Sequence, residues 1–77
     1  MARRFKNVPL KLFRAYLTSK GLKIIRTNGG HEIWAGKEVN RPIVLQAHID
    51  PVPEFIVKQA LRTLNVDIED FTDFLAK

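Results

Sequence analysis

Seventy-seven residues make one domain with a single modest core, a size at which folds are only marginally stable unaided. Cysteine is absent, which removes disulfides and thiolate metal sites and fits a reducing compartment; two histidines with scattered carboxylates make a poor zinc site, and no apolar run reaches the ~20 residues of a membrane span. The net charge of +5 hides a gradient: positions 1–31 hold eight Lys or Arg and no acid, whereas Asp67, Glu69, Asp70 and Asp73 face Lys77 alone at the other end.

A basic half beside an acidic end points to one surface that meets a polyanion and another turned away from it. The basic start, Met1-Ala2-Arg3-Arg4-Phe5-Lys6, is followed by no apolar signal core. A soluble cytoplasmic protein with no cofactor or metal is expected, with residues 1–7 as a flexible basic lead-in.

Asn7-Val8-Pro9 opens a first helix, proline suiting a first turn where its missing N–H is no loss. Leu10, Phe13, Tyr16 and Leu17 recur at helical spacing while Lys11, Arg14 and Lys20 take the wet faces. Gly21 ends the helix as a left-handed residue after a cationic turn. Leu22-Lys23-Ile24-Ile25-Arg26-Thr27 is β-branched and partly alternating, hence a strand.

Asn28-Gly29-Gly30 supplies a hairpin turn, and His31-Glu32-Ile33-Trp34-Ala35 returns antiparallel. Alternation sets His31, Ile33 and Ala35 on one face and Glu32 and Trp34 on the other. After a polar turn over residues 36–41, Pro42 leads a third strand to Ile49. Asp50-Pro51-Val52-Pro53 stops the sheet, and a second helix runs from Pro53-Glu54 to about Leu64. Its stripe is Ile56, Val57, Ala60, Leu61 and Leu64, with Lys58 and Arg62 an exposed pair of like charge, and Asn65 closes it. Asp67 caps a short last helix that buries Ile68, Phe71, Phe74 and Leu75.

The fold class is therefore α+β in the order α-β-β-β-α(-α), a three-stranded antiparallel sheet with helices packed on one face. The other face stays open to solvent or a partner.

His31 is the leading chemical candidate. RNA carries its own nucleophile, the 2′-OH, so cleavage needs only a base for that proton and an acid for the departing 5′-oxygen. An imidazole, with its ordinary pKa of ~6.5, does either near neutrality. Gly29 and Gly30 clear room for a sugar-phosphate backbone and leave amides free to face phosphate. Lys23, Arg26, Lys37 and Arg41 lie on or beside the hairpin as phosphate contacts. Turn chemistry alone favours a plainer reading, in which His31 is only the polar residue that starts a strand. His48 either completes an acid–base pair or bonds backbone at the strand end, the second being favoured. Trp34 is read as core rather than a base-stacking platform, Tyr16 as a core-edge residue. Glu32 points away from His31.

The motifs Gly21-Leu22-Lys23-Ile24-Ile25-Arg26, Gly29-Gly30-His31, Leu45-Gln46-Ala47-His48 and Pro53-Glu54-Phe55-Ile56-Val57 occur in an order that resembles the HicA-type toxins. These are mRNA interferases of HicA/HicB toxin–antitoxin modules, with a fold similar to a double-stranded-RNA-binding domain. The resemblance spans Leu10 to Leu75. Phe55-Ile56 stands where that family has Gly-Thr, and the proline of its Val-Pro-x-His motif is missing. It implies a single HicA-like domain over residues 1–77, a metal-independent endoribonuclease acting on mRNA. His31 would be its catalytic acid or base, and a HicB-type antitoxin its partner. Two other readings stay open: a non-catalytic RNA-binding module of the same fold, and a protein-interaction domain using the open sheet face.

Overall fold

In the computed structural model, which describes residues 8–37 and 39–76, each expected element is present in the expected order. The basic lead-in over residues 1–7 lies outside the described residues. Helix α1 spans Leu10–Ser19, followed by β1 Lys23–Asn28, β2 His31–Ala35, β3 Ile43–Gln46, α2 Glu54–Leu64 and α3 Ile68–Leu75.

Pro9 and Pro53 stand one residue outside α1 and α2, as extended N-caps with φ near −60°. Neither has a side chain to cap its helix. For α1 the deficit is met from afar: the Leu10 N–H donates to Asp50 Oδ1 at 2.9 Å. Val8 and Val52 pair as an isolated antiparallel bridge alongside, so the lead-in to α1 is tied to the loop before α2. Gly21 (φ 85°) and Asn65 (φ 59°) are the left-handed residues after α1 and α2. Asp67 caps α3 by accepting from the Asp70 N–H.

The sheet has the order β1-β2-β3, antiparallel throughout. One face of β2 and β3 contributes Trp34, Ile43 and Leu45 to a core completed by Phe13, Tyr16, Leu17, Val57, Ala60, Leu61 and Phe71. Trp34 is thus core. Tyr16 goes deeper than a core-edge residue: it is 1% exposed, and its hydroxyl reaches out to donate to Asp70 Oδ2 at 2.6 Å.

The packing corrects three expectations. All six residues of β1 are exposed, so the buried face is two strands wide and β1 overhangs as an edge. Helix α3 packs on α1, where Phe71 meets Phe13 and Tyr16 edge-on. Ile68, expected in the core, is 40% exposed, because the first turn of α3 projects beyond that contact. Third, β3 ends at Gln46 rather than Ile49. The Ala47 N–H still makes the next bond in register, to the Gly30 carbonyl at 2.7 Å, and the Ile49 N–H then folds back to the Gln46 carbonyl, turning the chain out of the ladder. On α2, Lys58 is paired with Glu54 at 3.3 Å, so its charge is not left facing Arg62 alone.

Candidate nucleic-acid interface

The turn that carries His31 is built from two glycines in left-handed backbone, Gly29 at φ 58° and Gly30 at φ 88°. Side chains rarely adopt either conformation, which is why the hairpin needs glycine here. A Cβ on Gly30 would lie 3.1 Å from Nδ1 of His48. The second imidazole therefore sits against the residue that precedes His31. His48 belongs to the turn after β3, not to the strand, and bonds no backbone group among the described residues.

His31 opens β2, opposite Asn28 on β1 and Gln46 on β3, and is exposed. Directly opposed residues share a sheet face. Its face therefore carries Ile33 and Ala35, with Val44 and Gln46 of β3 beside them.

Lys23 and Arg26 are an odd number of residues apart, and a regular strand would send them to opposite faces. The ladder shifts register between Ile24 and Arg26, so that Lys23 opposes Ala35 and Arg26 opposes Ile33. This bulge at Ile25 turns both cations onto the His31 face. Arg26 is the nearer, one strand over and two positions along. Lys23 lies four positions along, roughly 13 Å away, and Lys37 follows the far end of β2, so neither shares the end where His31 stands.

A groove of about 710 Å³ separates β3 from α2. His31 and Gln46 line it, with Arg41 ahead of β3 and Gln59, Arg62 and Asn65 from α2. No Asp or Glu lines it among the described residues. The chain's cations elsewhere are often neutralised, Arg14 by Glu32, Lys20 by Asp70 and Lys58 by Glu54. Arg41 was legible as a basic residue beside the hairpin. Arg62 was not, since on the sequence it reads as one of a solvated helical pair.

Compared with protein-family models, curated proteins and solved structures, the chain matches none.

Behind the site, Glu32 is 5% exposed on the core face. It accepts from Arg14 Nε and Trp34 Nε1, each at 3.1 Å, and Arg14 Nη2 bonds its other oxygen. Those donors, Arg14 foremost, hold its carboxyl below the ordinary range against the opposing effect of burial. Arg14, in turn, is held still more firmly charged by Glu32. The pair lies on the sheet face away from His31 and pins α1 to β2 there. Among the described residues, no cluster of His, Cys, Asp and Glu is suited to hold a metal, and no helix is long and apolar enough to cross a membrane.

Proposed function

We propose that this chain is a metal-independent endoribonuclease in which His31 carries one of the two proton transfers. The observation that supports it is the exposed His31 on the wall of a concave groove that also presents Arg41 and Arg62 and is lined by no carboxylate among the described residues. Negative charge on such a surface repels RNA and positive charge attracts it. In the reaction, the 2′-oxygen loses its proton and attacks the adjacent phosphorus; the bond from phosphorus to the 5′-oxygen breaks, and that oxygen leaves protonated. His31 takes the first proton or supplies the second. His48, packed against Gly30, is the chain's other imidazole and the candidate for the complementary transfer. Arg26 on the adjoining strand offsets charge that builds on the phosphate, while the guanidiniums of the groove draw in the rest of the strand. Lys23 and Lys37 serve longer-range attraction rather than the scissile group.

The biological setting that suits this chemistry is a HicA-type toxin acting on mRNA in the cytoplasm and held in check by a HicB-type antitoxin. The test compares wild type with His31→Ala on single-stranded RNA in chelator. Cleavage by wild type is expected, with a loss of about 10²-fold or more in the variant. Full activity in His31→Ala, or activity that requires a divalent metal, contradicts the assignment. Salt-sensitive binding without cleavage by either protein identifies a binding module instead.

A further inference from the structure

We infer that Arg41 and Arg62 form a phosphate-anchoring subsite at the end of the β3–α2 groove remote from His31, so that a single RNA strand lies along β3. This rests on the reading of His31 given above and adds where the strand runs and what holds it.

The two ends of the groove are chemically different. At one end His31 stands opposite Gln46, the last residue of β3. Ile56 is at this end too, because it shares a neighbouring apolar pocket with Leu45 and Gln46. Arg41 precedes β3, five residues before Gln46, which in extended chain is roughly 16 Å away. Arg62 follows Ile56 by six residues, about 9 Å along the helix axis. Strand and helix thus deliver one arginine each to the end away from the imidazole, while both still line the same cleft.

Both arginines are exposed, and neither has an ion-pair partner among the described residues. The C-terminus of α2 brings about half a negative charge to this end, but two full positive charges outweigh it. A planar guanidinium is well suited to grip phosphate oxygens in pairs. The amides of Gln46, at the His31 end, and of Gln59, farther along α2, offer donors and acceptors to exposed base edges. The cleft has the volume of a small-ligand pocket, too little for a duplex. The start of α2 is a poorer place for phosphate: Glu54 lies there, already paired to Lys58, with Phe55 68% exposed beside it.

The experiment measures binding of a 2′-O-methyl RNA oligonucleotide, which lacks the nucleophile, as a single strand and as a duplex, across a salt series. Wild type is expected to prefer the single strand. Arg41→Gln/Arg62→Gln should bind it about tenfold more weakly and flatten the slope of log affinity against log salt by about 1.4, two contacts at ~0.7 each. Arg41→Lys/Arg62→Lys should recover much of the affinity; circular dichroism establishes that each variant folds.

Unchanged affinity and slope in the glutamine pair, with His31-dependent cleavage intact, overturns the subsite and leaves the nuclease reading standing. Equal or tighter binding of the duplex overturns the single-strand path. A polyglutamate peptide bound as tightly as RNA, and lost in the glutamine pair, makes the groove a site for an acidic peptide instead. Wild type that neither binds nor cleaves RNA removes the subsite and the nuclease reading together.

Discussion

Gly30 is the residue on which the geometry of the site turns, because its backbone is left-handed and its missing side chain makes room for His48. Gly30→Ala is expected to cost about 1–3 kcal/mol, combining backbone strain with the contact to the imidazole. Gly29→Ala meets no atom within 4 Å and bears only the conformational cost, about 1 kcal/mol. Urea denaturation should rank the midpoints wild type, Gly29→Ala, Gly30→Ala; equal losses would show that His48 does not press on the turn. Arg14→Ala leaves Glu32 buried without its main donor and should cost about 2 kcal/mol, less than for a fully buried pair because Arg14 is partly exposed. Trp34 was legible as core from its type and its place in a short strand. The role of Glu32 was not, because the donor that makes its burial tolerable lies eighteen residues away in sequence, on α1.

At the scale of elements, α3 is a structural buttress to α1 rather than part of the site. Phe71 is fully buried against Phe13 and Tyr16, so Phe71→Ala should cost about 3–5 kcal/mol. That is much of the 5–15 kcal/mol typical of a whole domain. A melting curve checks it, and a loss under about 1 kcal/mol would mean that α3 docks only loosely. The helices were largely readable because their punctuation is local: proline at each entry to α1 and α2, Gly21 and Asn65 at their exits, Asp67 before α3. The bulge in β1 was not readable, since Ile24 and Ile25 are both good strand residues and nothing in their identity says which is extra. That single irregularity decides that Lys23 and Arg26 share a face. The premature end of β3 was equally hidden, because it comes from the Ile49 N–H turning back to the Gln46 carbonyl, and Ala47-His48-Ile49 carries no glycine or proline to mark that turn.

For the whole molecule, two partly buried polar contacts set opposite pH limits. The Glu32 carboxyl is depressed by Arg14, so its contribution is complete above the ordinary carboxylate pKa of ~4.3 and is lost as pH falls through the lower folded value. Burial and then the Asp70 contact raise the Tyr16 hydroxyl, so its contribution is complete below ~10 and is lost as pH climbs above that. Stability against urea should form a plateau between these limits, and Arg14→Ala should soften the acid edge while leaving the alkaline edge in place. An acid edge unchanged by Arg14→Ala would detach it from this ion pair. The charge gradient drew attention to the acid-free first half of the chain, whereas the groove proposed for RNA takes Arg41 and Arg62 from beyond it. The most direct measurement of the central claim is the chemistry of the ends left on cleaved RNA. Attack by the 2′-oxygen with an imidazole moving the proton predicts a 2′,3′-cyclic phosphate on one fragment and a free 5′-hydroxyl on the other, both missing with His31→Ala. A 3′-hydroxyl and a 5′-phosphate would mean that water, not the RNA, supplies the nucleophile, and would contradict the role given to His31.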